Sequence, residues 1–189
     1  MHDLINLQNL ENLKRIKIFG SKIYLKKISF SNLKTCFRWL KDPQINKYLS
    51  KNIKDLTYKR ELEWFNSIKN SNTDIVFSIN TIKENRYIGN CGLHKIDLKN
   101  LSCELGIFIG EKEFQNKGFG TDAIKTLIKF AVHSLNIKKL YLIVYEYNTR
   151  ALKVYEKCGF YTISILKNYH FYNDKYWNAY LMQYLVENN

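Results

Sequence analysis

Apolar and polar residues follow two different periods on either side of a glycine-containing turn in the middle of the chain. Over 101–109, apolar residues occupy every second position, which is the period of a β-strand. Over 124–135 they recur at helical spacing and predict one face of an amphipathic helix. The segment 114–121, Phe-Gln-Asn-Lys-Gly-Phe-Gly-Thr, joins the two. Gly118 and Gly120 remove two side chains where backbone N–H groups and the helix dipole favour an anion, so the pattern predicts a phosphate site.

Periodicity and turn residues predict alternating strands and helices along the rest of the chain. Strands are expected at 22–28, 74–80, 86–93, 101–109, 139–146, 161–170 and 174–185, and helices at 32–40, 58–70, 120–135 and 149–158. Strands mixed with helices imply one three-layer α/β domain, which we place at 20–186. Residues 1–19 form a separate N-terminal extension, in which leucines at every third position indicate a frayed helix, a docking arm or a dimer contact.

Composition excludes some classes of protein and some kinds of site. With 46% hydrophobic residues and no apolar run of eighteen, the chain is predicted to be a soluble globular protein without membrane spans. The first residues lack a basic segment followed by an apolar core, so we expect no secretory signal and a cytoplasmic protein. The four cysteines form no Cys-x-x-Cys pair, which predicts reduced structural thiols and no metal site.

The net charge of +13 is the strongest compositional bias. An excess of Lys and Arg attracts polyanions, of which nucleic acid is one. The lysines are scattered through every segment and form no block. The charge therefore leaves four explanations open, namely a solvated basic surface, attraction for a multiply negative cosubstrate, an acidic substrate such as a nucleotide sugar, and nonspecific contact with RNA.

A second motif follows the predicted strand at 139–146. The segment 148–160, Asn-Thr-Arg-Ala-Leu-Lys-Val-Tyr-Glu-Lys-Cys-Gly-Phe, begins with a good helix N-cap and ends with a glycine suited to the C′ position. Together with Gln-x-x-Gly-x-Gly at 115–120, it resembles the GNAT N-acetyltransferase superfamily over residues 20 to 186. Trp-Leu-Lys-Asp-Pro at 39–43 is similar to the opening pattern of the bacterial RimJ/RimL-like subgroup.

The resemblance implies a fold and a cosubstrate. The fold is a mixed, mostly antiparallel central sheet flanked by helices, and the cosubstrate is acetyl-CoA, with no metal required. Two parallel strands should splay apart, so that backbone groups of one of them pair with the pantetheine arm while the turn binds the pyrophosphate. The implied cofactor-binding residues are Ile107, Phe108, Ile109, Gln115, Asn116, Lys117, Gly118, Phe119, Gly120, Thr121 and Asn148.

Two residues are candidates for moving protons. Glu104 alternates with the apolar set of its strand and so lies on the opposite face, and the resemblance implies that it is the base, acting through water. A solvated glutamate or an ion pair with a nearby lysine is the alternative. Tyr155 matches the tyrosine that lies near the thioester sulfur, which implies that it is the acid. A core tyrosine with a satisfied hydroxyl is the alternative.

The sequence predicts the class of acceptor but not its identity. The resemblance implies that Trp39, Tyr48 and Trp64 lie at one wall of the acceptor site, and the alternative is that they are core residues. The aromatic hairpin at 167–184 is a candidate surface for stacking on a sugar, a base or a peptide. We expect a primary amine, such as a protein N-terminus, a nucleotide-linked amino sugar or a small amine, and the positive charge disfavours polyamines. The alternatives are a noncatalytic acyl-CoA-binding sensor and an RNA-binding module, although no recognised RNA motif or specific nucleic acid partner is expected. We expect a monomer or a homodimer.

Overall fold

The computed structural model describes residues 17–49 and 56–186 of the chain. Its strands are β1 (Lys17–Phe19), β2 (Ile23–Lys27), β3 (Ile75–Thr81), β4 (Tyr87–Asp97), β5 (Ser102–Ile109), β6 (Lys139–Tyr145), β7 (Tyr161–Tyr172) and β8 (Lys175–Leu185). Its α-helices are α1 (Leu33–Leu40), α2 (Pro43–Asn46), α3 (Tyr58–Lys69), α4 (Phe119–Leu135) and α5 (Thr149–Lys157). Single 3₁₀ turns at Phe30–Asn32 and Lys112–Phe114 precede α1 and α4.

All described strands form one sheet in the order β1-β2-β3-β4-β5-β6-β8-β7. Every neighbouring pair is antiparallel except β5 and β6, which run parallel. The predicted mixed, mostly antiparallel sheet is therefore confirmed. Within the sheet, β4 shifts its register against β5 between His94 and Asp97, where Lys95 has a φ of 50°.

The core lies on both faces of the sheet, and β3 shows why. All seven of its residues are buried. The ring of Phe77 packs edge-on against Phe130 of α4, with 5.4 Å between ring centroids. The preceding residue, Val76, points the other way and joins Phe65 and Ile68 of α3 in a smaller cluster. Successive residues of a strand point to opposite faces, so a strand covered by helices on both sides is apolar throughout. The predicted three-layer arrangement is confirmed.

Local sequence explains where the helices begin. The side-chain oxygens of Thr57 and Asn148 accept hydrogen bonds from the N–H groups of Arg60 and Ala151, so Thr57 caps α3 and the N-cap predicted at Asn148 is confirmed. Pro43 occupies the first position of the short helix α2, where its missing N–H costs nothing.

The predicted extension 1–19 falls largely outside the described residues, including its four leucines. Its last three residues form β1, which pairs with β2 at the edge of the sheet. The boundary at residue 20 stays a prediction. Across 17–49 and 56–186, no helix combines the length and the apolar character needed to cross a membrane.

Candidate active site

Strands β5 and β6 separate at the centre of the sheet. Their parallel pairing joins Ser102–Glu104 to Lys139–Tyr141 only, although β5 runs on to Ile109 and β6 to Tyr145. Beyond Glu104, the edge of β5 that faces β6 therefore has no strand partner among the described residues. Such an edge presents backbone donors and acceptors that an extended ligand can pair with. The predicted splay of two parallel strands is present here.

The N-terminus of α4 lies beside this opening. Gly118, at a φ of 84°, is the N-cap, and Asn116 two residues earlier is also left-handed, at 60°. The N–H of Asp122 donates to the Gly118 carbonyl over 3.0 Å. The N–H groups of 119–121 precede that bond, so they extend from the end of the helix, where the dipole is positive. This geometry suits a phosphate group.

Gly118 and Gly120 differ in what the fold requires of them. The left-handed backbone of Gly118 is one that other residues adopt at a cost. Gly120 is helical, and a Cβ placed there would meet only Ile109 Cγ1 at 3.7 Å, an ordinary contact. The fold alone would therefore accept a side chain at Gly120. Because Gly120 lines the opening, such a side chain would fill the space in front of the helix N-terminus, which is where the resemblance implies a pyrophosphate.

The opening is a cleft of about 980 Å³. It brings together most of the residues that the sequence proposed. Predicted residues in its lining are Ile107, Phe108, Ile109, Gln115, Asn116, Gly118, Gly120, Thr121, Asn148 and Tyr155. The other two residues of the turn have different surroundings, since the side chain of Lys117 is exposed and the ring of Phe119 packs against Phe114 with 5.2 Å between centroids.

Two cations at the cleft were missed by sequence reasoning. Arg150 lines it and donates from Nη1 to Gln115 Oε1 over 3.1 Å and to Asn116 Oδ1 over 3.4 Å. Lys22, the residue immediately before β2, donates a hydrogen bond from Nζ to the carbonyl of Lys117 over 3.0 Å. Arg150 stands between Asn148 and Ala151, two residues of the motif at 148–160, and this position could have identified it from the sequence. Lys22 lies 95 residues from its acceptor, and no local pattern connects them.

Tyr155 reaches the cleft from α5. Its side chain is 8% exposed, and burial, followed by the nearby Cys158, raises the pKa of its hydroxyl to about 12. The phenol therefore keeps its proton over the whole range in which proteins ordinarily work, and it can donate but not accept a proton there. That protonation state is the one its predicted role as an acid needs, and the role itself stays a prediction.

Glu104 lies on one face of β5, and the buried residues Cys103 and Leu105 lie on the other, as their alternation predicted. Its Oε2 accepts a hydrogen bond from Lys95 Nζ over 2.7 Å, and this bond is the main cause that raises the pKa of Lys95. The carboxylate is 37% exposed and stands outside the lining of the cleft. The ion pair with a lysine is present, and the role of Glu104 as the base stays a prediction.

A second cavity adjoins the cleft and was missed by sequence reasoning. It shares Leu49, Ile107 and Phe108 with the cleft, so the two spaces have a common wall. Its polar lining comes from separate elements: Cys36 (α1), Glu61 (α3), and Asn90 and His94 (β4). We call this space the acidic cavity, because Glu61 is 1% exposed there and accepts a hydrogen bond from Cys36 Sγ over 3.6 Å.

The early aromatic residues divide between core and site. Trp39 is 4% exposed, donates from Nε1 to Glu111 Oε1 over 2.9 Å and leaves no room for a side chain at Gly110, so it holds the loop after β5. Tyr48 lines the cleft and Trp64 the acidic cavity. The aromatic hairpin of β7 and β8 stacks on β6, with the rings of Tyr145 and His170 4.4 Å apart.

Comparison with known proteins identifies the family. The model of the Acetyltransferase (GNAT) domain matches residues 22–161. An uncharacterized N-acetyltransferase, p20, of Bacillus licheniformis is 25% identical over 154 residues, which cover 80% of this chain and 86% of that protein. The spermidine N(1)-acetyltransferase of Escherichia coli K12 is 35% identical over 117 residues, or 55% of this chain and 62% of that protein.

The solved structures agree. The crystal structure of spermidine N-acetyltransferase from Vibrio cholerae, in complex with CoA and spermine, has a TM-score of 0.81 at 25% identity and covers 88% of this chain and 96% of that one. These matches identify an enzyme, in preference to a noncatalytic acyl-CoA-binding sensor or an RNA-binding module. The chain belongs to the GNAT acetyltransferase family and is an N-acetyltransferase that uses acetyl-CoA.

Proposed function

We propose that this enzyme acetylates a primary amine that enters through the acidic cavity, while acetyl-CoA occupies the cleft. The observation that carries the proposal is the wall shared by the two spaces, formed by Leu49, Ile107 and Phe108. An acetyl group lying along β5 and an amine lying in the cavity would meet across Ile107. Holding two reactants in such proximity supplies a large part of the rate of a group transfer.

The cleft residues have separate tasks in this proposal. Backbone groups of 107–109 pair with the pantetheine arm, and the N–H groups of 119–121 bind the pyrophosphate, assisted by Arg150 and Lys22. Lys117, with its exposed side chain, adds a charge at the rim. Asn148 caps α5 and also contacts the pantetheine.

Local charge supports an amine acceptor. Glu61 lines the cavity, and the carboxylate of Asp74 lies 2.9 Å from Nδ1 of His94 at its edge. Carboxylates around a partly enclosed space attract an ammonium group more strongly than charges separated by bulk water. Two of the relatives named above are spermidine N-acetyltransferases, and small polyamines join protein N-termini and nucleotide-linked amino sugars as candidates.

The earlier expectation that the net charge disfavours polyamines stays a prediction, and the local charges oppose it. Exposed charges farther away than roughly 8–10 Å are largely screened at physiological salt, so scattered lysines have little effect inside the cavity. The RimJ/RimL-like subgroup, the cytoplasmic location and the monomer or homodimer also stay predictions.

Tyr155 has the role of a hydrogen-bond donor to the departing sulfur. Transfer of the acetyl group leaves a thiolate, whose negative charge a nearby O–H stabilises. The raised pKa of Tyr155 keeps that O–H in place at any pH at which the amine can react.

A thiol-release assay tests the proposal. Acetyl-CoA is supplied with a panel of peptides, amino sugars, aminoglycosides and spermidine, and release of the CoA thiol is followed together with the mass of the acceptor. We expect at least one primary amine to gain an acetyl group. We also expect acetyl-CoA at a hundredfold excess over its dissociation constant to stabilise the fold by roughly 2.7 kcal/mol. Stabilisation without transfer to any amine would contradict the proposal and leave the cleft assignment standing.

A further inference from the structure

Asp74 and His94 form a hydrogen-bonded dyad at the edge of the acidic cavity. The Nδ1 atom of His94 lies 2.9 Å from Asp74 Oδ1. An ionised carboxylate can only accept hydrogen bonds, so Nδ1 carries the ring proton and its N–H donates a hydrogen bond to Asp74. In the neutral ring, Nε2 then has a free lone pair. Among the described residues, no hydrogen bond engages Nε2.

Two glycines hold the ring open toward the cavity. Gly92 and Gly106 are register partners on β4 and β5, and both line the cavity. A Cβ on Gly92 would come within 3.0 Å of His94 Nε2, and one on Gly106 within 3.5 Å. The imidazole therefore lies over a patch of bare backbone, next to Ile107 and the common wall. A side chain at either glycine would crowd the Nε2 atom.

Asp74 remains ionised under the conditions in which the enzyme works. Burial acts to raise the pKa of Asp74, but hydrogen bonds from Ser71, His94 and Thr73 outweigh it, and the pKa lies below its ordinary value. The other charged or titratable groups on the elements around the imidazole are Glu104, its register partner on β5, with the paired Lys95, and Glu61 and Cys36 across the cavity.

We propose that His94, oriented by Asp74, is the base that takes a proton from the acceptor amine. The proposal rests on the proposed function and deepens it. The amine nitrogen attacks the thioester carbonyl carbon, the C–N bond forms, the C–S bond breaks, and the sulfur leaves with its electron pair. One N–H proton of the amine passes to His94 Nε2, and from there to solvent. Tyr155 donates a hydrogen bond to the departing sulfur, which then takes up a proton from solvent, so the products are the acetylated amine and the CoA thiol.

Glu104 is the competing candidate, and the geometry separates the two. Both residues stand on the same face of the sheet, directly opposite each other. Glu104 is engaged by Lys95, whereas His94 lines the cavity. The base must lie within hydrogen-bond reach of the proton that it removes, directly or through one water. His94 meets that requirement for an amine inside the cavity.

The test compares His94→Asn, Asp74→Asn and Glu104→Gln with wild type, using the best amine of the panel and measuring kcat against pH. A neutral base makes kcat rise with pH through its pKa. We expect His94→Asn to lower kcat by about 10²–10⁴-fold and to abolish that rise. Asp74→Asn should lower kcat but keep the rise, because the imidazole remains and loses only the carboxylate that orients it. Glu104→Gln should keep the rise.

A rescue experiment separates base catalysis from a structural role. His94→Ala leaves a space over Gly92 and Gly106, and added imidazole should restore a measurable part of kcat. His133→Asn, which changes an exposed histidine in the last turn of α4, serves as the control and should leave the profile unchanged. Circular dichroism and the affinity for acetyl-CoA should be unaltered in all variants.

The outcomes distinguish the two proposals. If wild type acetylates no amine, the proposed function and the role of His94 both fail. If wild type is active but His94→Asn keeps its rise with pH, or if Glu104→Gln is the variant that loses it, only the assignment of His94 is overturned. Absence of rescue by imidazole, with His94→Ala folded, also counts against it.

Discussion

The cleft and the acidic cavity share a wall but are built in different ways. The cleft consists largely of backbone: a splayed strand edge, two left-handed residues and the N-terminus of α4. The cavity consists of side chains from α1, α3, β4 and β5. A site made of backbone requires glycine at particular positions, so that no side chain fills the space. A side-chain site depends on charge and hydrogen-bonding groups. Each should therefore fail under a different kind of substitution.

The difference also separates what is general in the family from what is particular to this chain. Every acetyl-CoA molecule has the same pyrophosphate and pantetheine, so one arrangement of backbone serves it. The acceptor varies, and side chains such as Glu61 and His94 provide the local chemistry. We expect substitutions in the cleft to affect binding of acetyl-CoA, and those in the cavity to affect the acceptor or the rate.

The largest effect is expected at Tyr155, where the chemistry takes place. Tyr155→Phe should reduce kcat by about 10²-fold or more, since one proton-donating group is lost with little change in volume. Because the pKa of this hydroxyl is about 12, wild type should show no loss of rate attributable to it below about pH 11. Steady-state kinetics from pH 6 to 10 measure both.

Tyr176→Phe is the matched control, because Tyr176 is exposed on the hairpin of β7 and β8. It should be as active as wild type. Near wild-type kcat in Tyr155→Phe would show that the leaving sulfur needs no donor from the protein, and that positioning alone drives the transfer.

Most of the fold was predictable because each element has its own local signal. Alternation located the strands, and caps such as Thr57 and Asn148 fixed the starts of helices. The misses have physical causes: β1 has three residues, too few to show a period, and β4 was expected to end at residue 93. It continues to Asp97 because a bulge at Lys95 interrupts the alternation without ending the strand.

The candidate site was predictable only in part, for a related reason. The residues of the cleft lie in two short motifs, so their spacing along the chain matches their spacing in the fold. Glu61, Asp74 and His94 come together only when α3 packs on the sheet and β3 pairs with β4. A lone histidine in a strand has no pattern that reveals its partner 20 residues away.

The second largest effect is expected in the cleft. Gly120→Val should weaken binding of acetyl-CoA on the order of a hundredfold, roughly 2.7 kcal/mol, because the side chain fills the space in front of the helix N-terminus. Its unfolding temperature without ligand should stay close to that of wild type, since a Cβ there meets only an ordinary contact. Calorimetric titration and thermal unfolding provide the two measurements.

Gly118→Ala gives the contrasting case. Its left-handed backbone should cost the fold about 1–2 kcal/mol with an alanine in place, so thermal unfolding should detect it before binding does. Equal losses of stability in Gly118→Ala and Gly120→Val would mean that both glycines serve the fold, and the cleft would lose its best steric argument for acetyl-CoA.

A smaller effect is expected in the cavity. Glu61→Gln keeps the size of the side chain and removes its charge, so the KM for a cationic amine should rise about tenfold, roughly 1.4 kcal/mol. Binding of acetyl-CoA should not change, because Glu61 lines the acidic cavity and not the cleft. Initial-rate kinetics with each substrate varied in turn would show the split. A rise in the KM for acetyl-CoA alone would contradict the division between cleft and cavity.

The smallest effect concerns stability and pH, and it should belong to the cavity alone. The pKa of Asp74 is lower in the folded protein than its ordinary value, so its carboxylate stabilises the fold above the unfolded pKa of about 3.9. This contribution is lost as the pH falls through the lowered pKa. Asp74→Asn cannot ionise, so it should be less stable than wild type at pH 7 and approach wild type near pH 2. Urea unfolding at both pH values measures the difference. Gly120→Val, which changes no charge, should differ from wild type equally at both, and a pH-independent deficit in Asp74→Asn would trace its effect to the lost hydrogen-bond geometry.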